Sequence, residues 1–221
     1  MQRNRPASRK LSSTPLPLSA LIVSLCVLLL PVDLPAQEAD NSTARPNSEQ
    51  GSNGALVIYF SRTGNTEIMA TEIAARYQAD TVRLEADEYP ATFEGSVEAN
   101  RDAWNEQRQS IINPEIVDMT GYRLIFLGSP IWWYRPAVPL WTFVEKNEFH
   151  GKRVVLFNTF NSRFKDRYIT EFRQLVTQKG GEFADHLSVR RGRVFSQIDR
   201  DELIRQVRQL LVDRGSNWQS E

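Results

Sequence analysis

A doubly wound α/β fold, with five parallel strands in one sheet between two helical layers, is what this 221-residue chain predicts. Three observations lead there. The runs 56–60, 124–127 and 154–157 are solidly apolar, as parallel strands covered on both faces must be. Amphipathic helical stretches alternate with the strands, as βα units require. The first strand also passes directly into a hydroxyl-rich turn and a helix start.

Taken in order, Leu56–Phe60 is the first central strand, and Glu67–Tyr77 the first helix, with Ile68, Met69, Ile73 and Tyr77 on one face. Thr81-Val-Arg-Leu-Glu85 alternates in polarity and belongs near an edge. The least regular stretch, 88–115, predicts a loop and one half-buried helix whose apolar face is Phe93, Val97 and Trp104. Leu124–Leu127 is central again. A helix follows from Pro136 to about Asn147, its two prolines confined to the start, where missing N–H groups cost nothing. Val154–Phe157 is the third central strand. The helix Arg167–Lys179 turns Phe172, Leu175 and Val176 inward and stops at Gly180-Gly181. Leu187-Ser-Val-Arg-Arg191 is mixed and reads as the other edge. The last helix, Asp199–Asp213, carries Leu203, Ile204, Val207, Leu210 and Leu211 on one stripe, with Asp199 and Glu202 spaced as a capping pair.

The turn Ser61-Arg62-Thr63-Gly64-Asn65-Thr66 carries the chemistry. Backbone N–H groups converge at a helix start, and the positive end of the helix dipole favours an anion. Ser61, Thr63 and Thr66 add neutral donors, Asn65 an amide, and Gly64 lets backbone approach closely. An ordinary strand-to-helix turn with Thr66 as N-cap is the simpler reading. Three hydroxyls plus Gly and Asn within six residues weigh for phosphate instead. No Lys follows the glycine, so this is not a nucleotide-triphosphatase loop, and a dinucleotide fingerprint would need three spaced glycines. Mainly neutral donors suit a buried phosphate monoester.

Ser61–Thr66 resembles the FMN-phosphate loop of the flavodoxins. Gly128-Ser-Pro-Ile-Trp-Trp-Tyr-Arg-Pro-Ala137 resembles the flavin-ring loop of one flavodoxin-like subfamily, in which Gly-x-Pro-Ile-Trp-Trp recurs. The likeness runs from about residue 55 to about residue 213. It implies the strand order 2-1-3-4-5, which the polarity of the five strands fits, and FMN as cofactor. It further implies that Ser129, Pro130, Ile131, Trp132, Trp133 and Tyr134 flank the ring on one side and Asn158, Thr159, Phe160 and Asn161 on the other. Three successive aromatics in a loop cannot all enter the core, so at least one should cover a planar ligand; the alternative is that they cover the underlying helix or form a partner surface. Thr159-Phe-Asn-Ser162 departs from the Thr-small-Gly pattern of matching members. Arg62, Arg135 and Arg163 map near the pocket mouth, where positive charge would stabilise an anionic reduced flavin and make a mild reductant.

The first 36 residues are read separately. Arg3, Arg5, Arg9 and Lys10 precede a near-continuous 13-residue apolar run, Leu18–Leu30, and Leu34-Pro-Ala36 offers a cleavage point. That pattern predicts a signal peptide and an exported, periplasmic protein, with an uncleaved anchor as the alternative. Residues 37–54 are polar and read as a disordered linker, leaving 55–215 as one domain. Without residues 1–36 the chain holds 23 basic and 26 acidic residues, a net −3, which argues against nucleic acid or an anionic membrane as partner. Its sole cysteine, Cys26, lies in the apolar run, so redox chemistry in the mature chain needs a bound cofactor. His150 and His186 lie outside the motifs and read as surface or packing residues. The expected role is electron transfer with a redox partner protein or small quinone; an NAD(P)H-dependent quinone or flavin reductase on the same fold is the alternative, and a domain that has lost FMN the weakest reading.

Overall fold

The computed structural model describes residues 54–193, 195–215 and 218. The expected signal peptide and nearly all of the linker lie outside the described residues. Among those described, no helix is long and apolar enough to cross a membrane.

Strands β1 (Ala55–Phe60), β2 (Asp80–Leu84), β3 (Leu124–Trp132), β5 (Arg153–Phe160) and β6 (Glu182–Arg190) form a parallel sheet in the order β2-β1-β3-β5-β6. Numbered among themselves, the five parallel strands run 2-1-3-4-5, as expected. The three apolar strands are central and the two mixed ones are edges. A two-residue strand, β4 (Arg135–Pro136), folds back antiparallel on the end of β3. Strand periodicity then divides the core. Leu56, Ile58 and Phe60 join Ile125, Leu127, Val154 and Leu156 on one face, while Val57, Tyr59, Phe126, Val155 and Phe157 occupy the other. Helices α1 (Asn65–Tyr77) and α5 (Arg200–Arg214) cover the second face through Met69, Ile73, Tyr77, Leu203, Val207 and Leu211. Helices α2 (Phe93–Trp104), α3 (Val138–Lys146) and α4 (Asp166–Gln178) cover the first through Ala99, Ala103, Trp141, Phe143, Phe172 and Val176. Each large apolar side chain so buried contributes about 1.5–3 kcal/mol.

Four local expectations are corrected. Helix α2 packs through Gly95, Ala99 and Ala103, and the face expected to be buried points outward, with Phe93 78% and Trp104 60% exposed. Small residues let α2 lie close to its support, so the bulky ones take the far side; a Cβ on Gly95 would meet Pro90 O at 2.1 Å. Pro136 belongs to β4, and α3 begins two residues later with Pro139 in its first turn. β3 and β5 run past their apolar segments into the motif loops, as far as Trp132 and Phe160. Thr66 lies inside α1 rather than capping it: Gly64 is the N-cap at φ 87°, and Ser61 Oγ accepts from Glu67 N at 3.2 Å.

Candidate functional site

At the carboxyl ends of β1, β3 and β5, where an open parallel sheet offers its crevice, lies a cavity of about 120 Å³. Ser61, Arg62, Thr63, Asn65, Thr66, Pro130, Ile131, Trp132, Thr159, Phe160 and Asn161 line it, so the three expected segments do meet. Ser96, Asn100 and Arg191 line it too, and the sequence had singled out none of them for the site. Ser96 and Asn100 stand one turn apart on α2. Arg191 follows β6 and comes from 126 positions away to donate through Nε to Asn65 Oδ1 at 3.0 Å. Nothing local in the sequence marks that approach.

The loop ahead of α1 is held from several sides. Thr66 Oγ1 and Thr159 Oγ1 lie 2.9 Å apart and tie it to the end of β5. The Arg62 guanidinium donates to Pro90 O and Thr92 O and to Ser96 Oγ, at 3.1–3.2 Å, which docks the loop on the start of α2. Burial pushes the Arg62 pKa down from its ordinary value. A helix start leaves its first amides without intrahelical partners. Here Glu67 N goes to Ser61 Oγ and Ile68 N to Gly64 O, while among the described residues no protein acceptor takes the amides of Asn65 and Thr66. Nη1 of Arg191 is likewise buried without a partner. Two free amides, clustered hydroxyls and an unspent guanidinium N–H, with no carboxylate lining the cavity, fit a phosphate monoester.

The other expected residues separate by role. Ser129 and Asn158 are fully buried and form a strut beneath the loops rather than lining the cavity. Asn158 Nδ2 donates to Ser129 O at 2.8 Å, and Ser129 Oγ accepts from Ala137 N at 3.1 Å. With its amide so oriented, Asn158 Oδ1 accepts from His186 Nε2 at 2.9 Å, so the neutral imidazole carries its proton on Nε2. His186 is therefore a packing residue directly under the site. Burial depresses its pKa to about 4, opposed in part by Asp185 and Asp166.

Of the three successive aromatics, Trp132 turns into the core. Its ring meets Phe60 edge-on at 5.4 Å and Tyr89 at 4.9 Å. Trp133 and Tyr134 both take left-handed backbone conformations, at φ 42° and 73°, in the tight return between β3 and β4. Such strain costs of order 1–3 kcal/mol per residue and collects at functional sites. Trp133 is 39% exposed and packs edge-on against Trp104 of α2 at 4.7 Å. Arg163 and Lys165 lie over the Tyr134 ring at 5.2 and 5.0 Å. Gly64, Trp133 and Tyr134 border the site without lining the cavity. Arg135 corrects the expected cluster of arginines at the mouth. It is fully buried, with its guanidinium 4.7 Å from the Trp141 ring and 5.5 Å from that of Tyr168, and it donates to Gln107 O at 3.0 Å. Strand β4 turns its side chain under the loop into the layer of α3 and α4.

A larger cavity, about 570 Å³, opens at the amino ends of the strands beside Tyr122, His150 and Arg153. Size alone would favour it. The carboxyl-end cavity instead combines the helix start with converging donors, and that is the combination a phosphate needs.

A family model described as Flavodoxin matches residues 54–179, more than half of the chain and all of the site except Arg191. The chain belongs to the flavodoxin family. No curated protein matches it. Among solved structures, this flavodoxin-family chain is similar to a flavoprotein from Lactobacillus acidophilus NCFM, crystallised in complex with FMN, at 22% identity and a TM-score of 0.52 over 61% of this chain and 91% of that one. It is also similar to a protein from Bacteroides uniformis ATCC 8492 assigned as a flavoprotein, at 20% identity and a TM-score of 0.56 over 70% and 97%. A third, assigned likewise from Bacteroides eggerthii DSM 20697, shares 22% identity with a TM-score of 0.52 over 73% and 97%. At these identities the likeness shows the fold.

Proposed function

We propose that this flavodoxin-family protein is an exported, FMN-binding carrier of electrons. The observation that carries the reading is the carboxyl-end cavity: unpartnered amides at the start of α1, five hydroxyl-bearing residues and Arg191, bordered by an aromatic loop. The FMN complex of the Lactobacillus flavoprotein, on the same fold, supports it.

Ser61, Thr63, Gly64, Asn65 and Thr66 would hold the phosphate, and Pro130, Ile131, Trp132, Thr159, Phe160 and Asn161 the chain and ring edge. The enclosed volume falls below the ~300–1,000 Å³ of most small-ligand sites. It has room for the phosphate and the start of the chain, so most of the ring would lie outside it, against Trp133 and Tyr134. When bound, FMN supplies reversible electron uptake, which residues 37–221, without a cysteine, could not supply through a thiol. The protein's part is to anchor the phosphate, position the ring with the strained Trp133-Tyr134 return, and keep Arg163 and Lys165 nearby as positive charge. The sequence holds no second nucleotide motif, which favours a carrier over a reductase. Export rests on the basic start and the short apolar run ahead of the domain.

In stopped flow, chemically reduced, FMN-loaded protein should pass electrons to a quinone or to an acceptor protein, while NADPH should not reduce it in a saturable manner. Rapid saturable NADPH–quinone turnover would replace the carrier by a reductase. Cell fractionation with N-terminal sequencing should find a chain beginning near residue 37 outside the cytoplasm. Full-length protein in the cytosol would end the export claim.

A further inference from the structure

The sequence pointed to a phosphate cradle of mainly neutral donors, yet the folded cavity also contains an arginine that nothing in the family motifs brings there. Arg191 is fixed by its backbone on both sides: its N–H donates to Phe160 O at 2.7 Å, and its carbonyl accepts from Ile198 N at 3.0 Å. The chain turns away immediately at Gly192, at φ 92°, where a Cβ would lie 2.3 Å from Ser196 O. Only glycine closes that turn without displacement. The side chain then reaches across to α1, spends Nε on Asn65 Oδ1 and lines the cavity, while its Nη1 is buried without a partner. The other lining arginine, Arg62, has its guanidinium committed to Pro90 O, Thr92 O and Ser96 Oγ. No carboxylate lines the cavity to balance the Arg191 charge. A buried, unsatisfied guanidinium N–H is costly unless an acceptor arrives, and an anionic oxygen is the best acceptor for it.

We propose that Arg191 is the counter-charge for the ligand's phosphate and makes this site select a phosphorylated flavin over the same flavin without phosphate. The proposal rests on the FMN reading and deepens it, adding a charged contact from the end of β6 to the donors on α1. Arg191 acts on the phosphate only, so its removal acts on phosphorylated ligands only.

The test compares the protein with its Arg191→Gln and Arg191→Lys variants. FMN and riboflavin binding are followed by flavin fluorescence at low and moderate salt, and inorganic phosphate binding by phosphorus NMR. Arg191→Gln should weaken FMN tenfold or more, leave riboflavin unchanged and flatten the salt dependence of FMN binding; Arg191→Lys should recover part of the loss. Equal losses for FMN and riboflavin, or an unchanged salt dependence, would reduce Arg191 to a prop for Asn65 and overturn the proposal. FMN and phosphate binding that ignores Arg191 overturns it while leaving the FMN reading intact. Phosphate binding that depends on Arg191, in a protein that takes up no flavin, upholds the anion contact and removes the FMN reading. Circular dichroism of each variant separates these results from misfolding.

Discussion

Trp132 and Trp133 are adjacent, yet the strand end sends one into the core and leaves the other at the surface. The chemistry they serve should divide in the same way. Trp132→Ala removes a ring packed against Phe60 and Tyr89 and should cost about 3–5 kcal/mol of stability. Trp133→Ala should leave the denaturation midpoint nearly unchanged and weaken FMN several-fold, since aromatic stacking contributes about 0.5–1.5 kcal/mol beyond burial. Urea unfolding and flavin titration of the two variants check this; a stable Trp132→Ala or a collapsed Trp133→Ala would contradict the assignment. Gly128 is a second residue with a defined demand. It pairs with Phe157 across β3 and β5, and a Cβ there would lie 2.0 Å from the Phe157 ring. Gly128→Ala should therefore destabilise by about 1–3 kcal/mol through overpacking, measurable in the same unfolding series.

At the scale of elements, the strands were legible because burial on both faces writes itself as unbroken apolar runs. The helices with large inward residues, α1, α4 and α5, were legible for a similar reason. Helix α2 was not. It is held by Gly95, Ala99 and Ala103, which carry little hydrophobic signal, while Phe93, Val97 and Trp104 mimic a buried stripe on the exposed side. The phosphate loop was visible as a local motif, whereas Arg191 was hidden because its partner, Asn65, is distant in sequence and near only through the sheet. The strut that joins β3, β5 and β6 has a consequence for pH. His186 is neutral in the fold, with a pKa lowered to about 4 from an ordinary 6.5, so the unfolded chain binds the extra proton first. Its contribution is complete above about pH 6.5 and is lost as pH falls towards 4, amounting to about 3 kcal/mol. Urea unfolding across that window should show stability falling with acid, and His186→Gln should flatten the slope. An unaltered slope would mean that other groups carry the acid sensitivity.

For the whole molecule, the parallel sheet makes the two ends unequal. The amino end has the larger cavity, beside Tyr122, His150 and Arg153, and the carboxyl end has the smaller one, where a helix start, hydroxyls and Arg191 converge. Chemical complementarity outweighs volume in choosing between them. In a nearly neutral chain the positive charge is placed locally, at the cradle, through Arg191. The most direct measurement is a crystal structure of the purified protein soaked with FMN. The account predicts flavin density at the carboxyl ends of β1, β3 and β5, with phosphate oxygens within hydrogen-bond distance of the amides of Asn65 and Thr66. Flavin density at the amino-end cavity, or none at all under saturating FMN, would contradict it.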